Sequence, residues 1–340
     1  MTSDQGQAPG RMRAIGWRRC GAPEEVLELL ELPRPAPGPG KVLVRIGVSA
    51  PNPHDTKART GWRGVGHDGS LVIPHGDGAG VVAAVGEGVP GSRIGERVWV
   101  FGAPHGRGTC AEYAVLPAGR AVPLPPEVPL AQGAVLGVPC LTAHLALFSD
   151  GPVAGRTVLV QGGAGAVGLA AVLIAARAGA RVLATASTEE KRAAALAAGA
   201  EAAVDYRAPD AAERLLALTG GRGVDRVVEV DFGANAAMDA RLVAPHGVIA
   251  AYSSTREPKP VLDYYAFARK GVTLRFVQAM LLHGEAERAG VAAVREGVAA
   301  GWLRLPLGLA VPLERAAEAQ AALEAGRPGK PVVVVAPGLA

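Results

Sequence analysis

Two styles of hydrophobic pattern divide the chain. Up to about Pro125, short apolar or alternating runs are separated by turns rich in glycine and proline, which is typical of a strand-rich, barrel-like domain. The strands predicted there cover residues 27–32, 42–48, 81–85, 97–100 and 111–116. An apolar segment of helical character over residues 130–147 ends this pattern and places a domain boundary near it.

From Thr157 onward, apolar runs of strand length alternate with segments of helical length. Strands are predicted over residues 157–160, 181–185, 203–206, 224–230, 248–251 and 272–277, with helices over 166–178, 211–218 and 234–242 among them. Strands separated by helices imply a parallel sheet with right-handed crossovers. A helix over 285–300 follows, and the tail after it is expected to fold back onto the first domain as a strand (305–312), a helix (314–325) and a strand (332–335).

The predicted fold class is therefore α/β, with a barrel-like domain and a doubly wound parallel domain. We predict a first domain of residues 1–127, completed by residues 304–340, and a second domain of residues 128–303. The first residues, MTSDQGQAPGR, lack an apolar core, which indicates a disordered tail and not a secretion signal.

Three glycines recur at every third residue where the first strand of the second domain enters its helix: Gly162, Gly165 and Gly168. A dinucleotide-binding unit needs glycines there because the turn is tight, the backbone approaches a pyrophosphate and the helix lies close to the sheet. The helix N-terminus then offers N–H groups and a positive dipole end to the phosphates. The predicted cofactor contacts are the residues of this turn, Gly162, Gly163, Ala164, Gly165, Ala166, Val167 and Gly168.

Composition and charge narrow the classes of function. Apolar residues make up 49% of the chain and charged residues 19%, which indicates a globular protein. The net charge of +4 does not come from a basic tract interleaved with aromatic residues, so nucleic-acid binding is not the leading interpretation. Cys20, Cys110 and Cys140 have no CxxC spacing, which favours a reducing, cytoplasmic location. The most apolar helix, residues 166–178, is too short to span a bilayer, so no membrane partner is predicted.

Several motifs together carry a resemblance to a known family. They are PAPGPGKVLVRI (35–46), NPHDTKARTG (52–61), GDGAGVVAAVGEGV (76–89), GTCAEYAVLP (108–117), the glycine turn and LEAGRPGKPVVVV (323–335). With them the chain resembles zinc-independent medium-chain dehydrogenases/reductases of the quinone oxidoreductase (zeta-crystallin-like) type. The resemblance implies a GroES-like catalytic domain, an inserted Rossmann domain and a homodimer in which the last Rossmann strand, residues 272–277, pairs with its mate.

The resemblance also allows the catalytic zinc positions to be compared. In zinc alcohol dehydrogenases of the family, a Cys stands where this chain has Asn52, and a His–Glu pair stands where it has Gly76 and Asp77. Catalytic zinc needs three protein ligands from Cys, His or carboxylate groups, and that set is missing at the expected places. We therefore predict no zinc and interpret the three nearby histidines as surface or core-edge imidazoles that bind no metal: His54, His67 and His75.

The end of the second Rossmann strand bears on the choice of cofactor. Sites selective for NAD place Asp or Glu about 20 residues beyond the glycines, whereas this chain has Ser187 there and Lys191 four residues later. The resemblance implies that Ser187, Lys191 and Tyr206 bind the 2′-phosphate of NADPH. Glu189 and Glu190 keep open the alternative that Lys191 is a solvated helix residue.

Further cofactor contacts are implied by the resemblance alone. Thr142 matches a position under the nicotinamide, Phe276 and Val277 match a segment whose backbone meets the carboxamide, and Arg327 and Lys330 match a C-terminal segment near the phosphates. A purely structural role is the alternative for each of them.

Without zinc, no strong Lewis acid polarises a simple ketone, so hydride transfer from NADPH requires an acceptor that is already activated. Quinones, enones and enals meet this condition. The protein must then position the acceptor and stabilise the developing oxyanion, for which Asn52 and Lys57 are the candidate donors. Relatives often carry Tyr at the Lys57 position, which leaves the proton donor open. Trp62 is a candidate aromatic wall, and Asp55 is expected to fix its loop by hydrogen bonding.

The leading prediction is an enzyme, an NADPH-dependent quinone oxidoreductase or alkene reductase that acts on a small-molecule electrophile without zinc. Two alternatives stay open. One is an enoyl-thioester reductase, which this fold also supports. The other is a non-catalytic, crystallin-like protein that binds NADPH or RNA, against which the missing aromatic and basic patch argues.

Overall fold

A computed structural model of the protein describes residues 10–64 and 67–339. The chain forms two compact units, unit 1 (Met1–Val138 with Arg304–Ala340) and unit 2 (Pro139–Leu303). The domain limits predicted from the sequence, 127/128 and 303/304, stay predictions. The N-terminal tail expected to be disordered lies, up to residue 9, outside the described residues.

The regular elements are numbered in chain order. The strands are β1 (Arg11–Gly16), β2 (Glu28–Pro33), β3 (Lys41–Ala50), β4 (Asp77–Val85), β5 (Arg97–Val100), β6 (Tyr113–Pro117), β7 (Ala121–Pro123), β8 (Thr157–Val160), β9 (Arg181–Thr185), β10 (Ala202–Val204), β11 (Val224–Glu229), β12 (Val243–Ala251), β13 (Thr273–Phe276), β14 (Leu307–Pro312) and β15 (Lys330–Val334). The α-helices are α1 (Pro23–Val26), α2 (Pro53–Arg59), α3 (Leu130–Ala134), α4 (Gly137–Phe148), α5 (Ala166–Arg177), α6 (Glu189–Ala197), α7 (Ala211–Leu218), α8 (Phe232–Leu242), α9 (Tyr264–Ala268), α10 (Gly284–Ala299) and α11 (Ala316–Glu324). Along residues 10–64 and 67–339, none of these helices has the length and apolar character needed to cross a membrane.

Unit 1 is built around β3, which pairs with three other strands. The sheet order is β14–β15–β3–β4–β5–β7, and β6 also pairs with β3. Its first half, Lys41–Arg45, lies against β6 and its end lies against β15, while β4 follows it on the other side. A strand shared in this way bends the sheet into a partly closed barrel around an apolar core. The pairing of β15 with β3 confirms that the tail returns to the first domain.

The glycines of the 76–89 motif explain why β4 is longer than predicted. The apolar pattern predicts a strand over 81–85 and leaves residues 77–80, Asp-Gly-Ala-Gly, unassigned, but β4 begins at Asp77. A Cβ atom at Gly80 would lie 2.0 Å from the Arg45 carbonyl oxygen, so glycine is needed there for close approach of two strands. The helical segment predicted over 130–147 also differs from the prediction, since it consists of two helices, α3 and α4.

Unit 2 is a six-stranded parallel sheet of order β10–β9–β8–β11–β12–β13, which confirms the predicted doubly wound fold. Its core is formed by apolar side chains of the strands and of the helices that cover them. Because all strands run in the same direction, the residues that end β8, β9 and β11 meet at one edge of the sheet. These residues carry the glycine turn and the polar groups behind it.

Candidate functional site

The glycine turn lies at the carboxyl edge of the unit 2 sheet. Gly162 has φ +68°, a left-handed conformation that favours glycine. A Cβ atom at Gly168 would lie 2.2 Å from the Gly162 carbonyl oxygen, so α5 packs directly on the turn. The Gly162 and Gly163 amides donate to the hydroxyl (3.1 Å) and the carbonyl oxygen (2.8 Å) of Thr185, which ties the turn to β9. Gly165 is exposed and caps α5, so a dinucleotide pyrophosphate has room at this helix N-terminus.

The three residues predicted to bind the 2′-phosphate lie at the same edge of the sheet. Ser187 and Tyr206 follow the neighbouring parallel strands β9 and β10. Lys191 is in the first turn of α6, where its backbone amide donates to the Thr188 hydroxyl at 3.2 Å. The side chains of Ser187, Lys191 and Tyr206 are all at least partly exposed and therefore available to a ligand.

Sequence reasoning missed a cation at this place. The Arg207 guanidinium donates to the Ser187 carbonyl oxygen and forms an ion pair with Asp205 at 2.7 Å. Its position directly after Tyr206 is the signal that could have identified it. Because Asp205 partly neutralises it, Arg207 adds less positive charge to this edge than a free guanidinium would.

The remaining predicted cofactor residues differ in exposure. Thr142 is buried within α4. Phe276 is 76% exposed at the end of β13, whereas Val277 is buried and its amide donates to the Ala251 carbonyl oxygen at 2.8 Å. Arg327 is exposed after α11. Their roles toward a cofactor stay predictions.

A buried polar cluster in unit 1, which we call the Asn52 cluster (Asn52, Asp77 and Lys330), joins residues that are far apart in the chain. The Asn52 amide nitrogen donates to Asp77 Oδ2 at 2.8 Å, and the Lys330 ammonium donates to Asn52 Oδ1 at 2.5 Å and to the Pro51 carbonyl oxygen at 2.7 Å. The Val138 amide also donates to Asp77 Oδ2. All three side chains of the cluster are buried, so the predicted phosphate ligand Lys330 and the predicted oxyanion donor Asn52 are both engaged inside unit 1.

Burial dominates the electrostatics of the Asn52 cluster. It raises the pKa of Asp77 to about 6, against the opposing effect of the Lys330 ammonium and of the hydrogen bond from Asn52. Asp77 Oδ1 is buried, and no donor among the described residues reaches it. The ammonium is therefore the principal compensation for this carboxylate.

Two side chains of α2 lie beside the Asn52 cluster. Asp55 accepts from the backbone amides of Asn52 (2.8 Å) and His75 (3.0 Å), which confirms its expected role in fixing the loop. Although burial opposes ionisation, the nearby His54 and His75 imidazoles lower the pKa of Asp55 to about 2. Lys57 is half-buried and its ammonium lies 4.6 Å from the centre of the Trp62 ring, so the candidate aromatic wall contacts a candidate donor.

His75 is a structural residue, as interpreted from the sequence. Its imidazole is buried between the Ser49 hydroxyl (2.9 Å from Nδ1) and the Gln320 amide (3.2 Å from Nε2). Burial lowers the pKa of His75 to about 4, so the ring is neutral at physiological pH.

His54 lies at the edge of the buried cluster, which agrees with its interpretation as a surface or core-edge imidazole. Its side chain is 38% exposed, and its Nε2 lies 3.3 Å from Asp55 Oδ1. Burial alone would lower the pKa of His54, but the Asp55 carboxylate outweighs it and the pKa is raised above the ordinary value. The ring also lies against Gly76, where a Cβ atom would be 3.6 Å from it. His54 is thus an accessible acid beside the Asn52 cluster. The Asn-Pro-His-Asp sequence, which places a carboxylate next to an imidazole, is the feature from which this acid could have been predicted.

Comparisons with known proteins agree with this architecture. Residues 38–126 match the alcohol dehydrogenase GroES-like domain family, and residues 166–289 match the zinc-binding dehydrogenase family. The quinone oxidoreductase of Sus scrofa is 32% identical over 312 residues, which cover 91% of this chain and 92% of that protein. A mycobacterial protein solved in complex with NADPH is 31% identical with a TM-score of 0.83, and a structure described as an NAD-dependent alcohol dehydrogenase is 31% identical with a TM-score of 0.84. Each of these two alignments covers 95% of this chain and 100% of the other.

The residues of unit 1 do not fit the zinc that one family description names. A catalytic zinc needs three anionic or imidazole ligands, whereas the Lys330 ammonium lies 2.5 Å from Asn52 Oδ1 and introduces a positive charge. Both nitrogens of the His75 imidazole are engaged by Ser49 and Gln320. Within the described ranges 10–64 and 67–339, no group of three His, Cys, Asp or Glu side chains could hold a metal ion.

We expect Lys330→Met to lower the free energy of unfolding by about 3–5 kcal/mol near pH 8, because the Asp77 carboxylate stays buried without its cation. The folded-state pKa of Asp77 lies above the ordinary Asp value. In Lys330→Met the folded-state pKa of Asp77 should rise further, so the penalty grows as pH rises above the wild-type value of about 6. It should be much smaller near pH 4, where the acid is neutral in both folded proteins.

Urea unfolding of the wild type and of Lys330→Met at both pH values measures this difference. Lys259→Met, which replaces an exposed lysine, is the matched control and should change stability little. An equal loss of stability at the two pH values would show that Asp77 is not the group that Lys330 compensates.

Proposed function

The chain belongs to the quinone oxidoreductase family of medium-chain dehydrogenases/reductases, and we propose that it is an NADPH-dependent oxidoreductase that reduces quinones or α,β-unsaturated carbonyl compounds without zinc. The observation that carries the proposal is a pair of features, a dinucleotide-type glycine turn in unit 2 and an ammonium in the Asn52 cluster of unit 1. The first accounts for the cofactor and the second for the class of acceptor.

The cofactor proposal rests on the carboxyl edge of the unit 2 sheet. The glycine turn and the N-terminus of α5 would hold the pyrophosphate. Ser187, Lys191 and Tyr206 would hold the 2′-phosphate, since no carboxylate stands at the end of β9 to accept a free ribose hydroxyl. When bound, NADPH supplies a hydride. Thr142, Phe276, Val277 and Arg327 keep their proposed places around it, whereas Lys330 is better assigned to the Asn52 cluster.

The acceptor proposal follows from the charges in unit 1. A fixed ammonium cannot ionise an alcohol or coordinate a ketone as a metal does, so the acceptor must already be activated. Lys57 and the Asn52 amide hydrogen that is not donated to Asp77 remain the proposed stabilisers of the developing oxyanion. We assign the proton to His54, because its side chain is 38% exposed and the neighbouring Asp55 carboxylate raises its pKa against the effect of burial.

Two alternative functions make different demands on the protein. An enoyl-thioester reductase would use the same hydride and the same acid but would need to admit a thioester. A non-catalytic NADPH- or RNA-binding protein would not need His54 at all. A gel shift with a structured RNA that weakens steeply with salt would favour RNA binding.

The function is tested by following NADPH oxidation with 1,2- and 1,4-quinones, enones, enals and an enoyl-CoA. We expect turnover of quinones or enones in protein that contains no zinc by metal analysis. The rate with an enone should fall as pH rises through the raised pKa of His54, because the acid must be protonated, and His54→Gln should lower it by about 10²-fold or more. His105→Gln, at an exposed histidine, is the control. Tight NADPH binding without turnover of any acceptor would contradict the enzyme proposal.

We expect Lys191→Ala to weaken NADPH binding by about tenfold or more, because a charge-assisted hydrogen bond contributes about 1.5–3 kcal/mol. Binding of NADH, which lacks the 2′-phosphate, should be unchanged. Fluorescence titration of the wild type, Lys191→Ala and the exposed control Lys259→Ala with both cofactors gives the ratio of the NADPH and NADH dissociation constants for each protein. An unchanged preference between the two cofactors would remove Lys191 from the phosphate site.

We propose a cytoplasmic homodimer. Cys20, Cys110 and Cys140 lie far apart in the sequence and lack the CxxC spacing, which favours a reducing compartment. β13 is an edge strand of the unit 2 sheet, and exposed apolar side chains surround it: Phe276, Leu281, Tyr264 and Tyr265. Light scattering should give twice the chain mass of 34.5 kDa. The double substitution Leu281→Asp and Tyr265→Asp should shift the measured mass toward that of the monomer. Ile94→Asp, at an exposed apolar residue of unit 1, should leave the measured mass unchanged.

A further inference from the structure

Two buried carboxyl groups of unit 2 lie together behind the glycine turn. Glu229 ends β11 and Asp239 lies in α8, and neither side chain is exposed. Glu229 Oε1 accepts from the Asp231 amide and from the Asn235 side chain, and Asp239 Oδ1 accepts from Gln161 Nε2 at 3.0 Å. The other oxygens, Glu229 Oε2 and Asp239 Oδ2, are buried and receive no hydrogen bond from any donor group in the described residues.

A single shared proton satisfies both of these oxygens. Two carboxyl groups in contact inside a protein cannot both be ionised, because like charges in a medium of low polarity repel strongly. Burial and the neighbouring Glu229 carboxylate raise the pKa of Asp239 well above its ordinary value. The side-chain hydrogen bond between Asp239 and Glu229, together with the raised pKa of Asp239, favours one shared proton that Asp239 carries.

The charged groups around the pair do not replace this proton. Asp231 is the nearest further carboxylate, and Arg256 forms its ion pair with Asp231 at 2.5 Å. The Tyr252 hydroxyl is also near, and the Glu229 carboxylate helps to raise its pKa. No cation in residues 10–64 or 67–339 forms an ion pair with Glu229 or Asp239 themselves, so the shared proton is what lowers the charge of the pair from two to one.

A chain of hydrogen bonds connects the pair to the glycine turn. Gln161 Nε2 donates to Asp239, the Thr185 hydroxyl donates to Gln161 Oε1 at 2.7 Å, and the Gly162 amide donates to the Thr185 hydroxyl at 3.1 Å. Gln161 and Thr185 are each only 1% exposed. All donors point in the same direction, so the acceptor oxygen of Asp239 sets the orientation of the Gln161 amide and, through Thr185, that of the turn.

We propose that the proton-sharing Asp239–Glu229 pair positions the glycine turn for NADPH, and that NADPH affinity depends on this proton. The inference rests on the proposed function, because it takes the turn to be the NADPH site. Asp239 and Gln161 are positioning residues, since they act through Thr185. Loss of the proton would place two repelling carboxylates behind the turn and disturb the hydrogen bonds that align it.

The Asp239→Asn substitution keeps the hydrogen-bond geometry of the pair but removes the group that can lose its proton. An Asn amide oxygen can accept from Gln161 and its NH2 group can donate to Glu229, as the protonated acid does, but it cannot ionise. We expect Asp239→Asn to keep the NADPH dissociation constant within about twofold of the wild type. Asp239→Leu removes both bonds and should raise it about tenfold or more, and Gln161→Leu, which leaves the pair intact, should raise it similarly.

The pH dependence gives a readout that a merely structural role would not give. NADPH affinity of the wild type should fall as pH rises toward the folded-state pKa of Asp239, while that of Asp239→Asn should stay level over the same range. Wild-type stability should fall in the same direction, because the folded state binds a proton that the unfolded state releases at lower pH. Asp210→Asn, at an exposed carboxylate at the start of α7, is the control and should follow the wild type.

Infrared spectroscopy tests the proton without any cofactor. The carbonyl stretch of a buried protonated carboxyl group should be present in the wild type at neutral pH and absent in Asp239→Asn. Absence of this band, or equal loss of NADPH affinity in Asp239→Asn and Asp239→Leu, would overturn the inference. So would unchanged affinity in both Asp239→Leu and Gln161→Leu. Failure of the proposed function looks different, since the wild type would then show the band but would not bind NADPH.

Discussion

A buried carboxylate must be neutralised, and each unit of this protein meets that requirement in its own way. In unit 1 the Lys330 ammonium compensates the charge of Asp77. The Asn52 amide connects the two groups, because it accepts from Lys330 and donates to Asp77. In unit 2, according to our inference, a proton shared by Glu229 and Asp239 removes one of their two charges and the repulsion between them. Burial of an uncompensated charge would cost several kcal/mol, a large fraction of the stability of a domain. The positions of the neighbouring amides and hydroxyls therefore follow from where these charges lie.

Close approach of backbones is the second constraint, and it decides where glycine is required. At Gly80 two strands of unit 1 meet, and at Gly168 a helix meets the turn that precedes it, at distances that no Cβ atom could occupy. The second case is predictable from the sequence, because the three-residue glycine spacing follows a clear strand. The first is not, because glycines before an apolar run look the same whether the chain reverses or passes close to another strand, and the predicted strand therefore begins only at Val81.

Local patterns thus predicted most of the fold, while the site depended on contacts between distant residues. The six parallel strands and the returning tail follow from apolar periodicity, which neighbouring residues determine. The contact of Lys330 with Asn52 joins residues 278 positions apart, and no local pattern distinguishes a buried lysine from an exposed one beside a phosphate. His54 and His75 illustrate the same limit. Both belong to one short stretch, yet one is exposed beside Asp55 and the other is enclosed by Ser49 and Gln320, 245 residues further on.

The proposed absence of zinc beside the Lys330 ammonium has a chemical consequence. A catalytic zinc ion offers an open coordination position at which it polarises a bound oxygen. The Lys330 ammonium donates to the Pro51 carbonyl and to Asn52, and an ammonium has no coordination position for an acceptor. What it provides is a fixed positive charge and a fixed orientation for the amide. Such a site can stabilise charge that an acceptor already delocalises, but it cannot create an electrophile from an unactivated carbonyl. The same family fold then selects a narrower set of acceptors, those whose reduced form carries its charge over several atoms until a proton arrives.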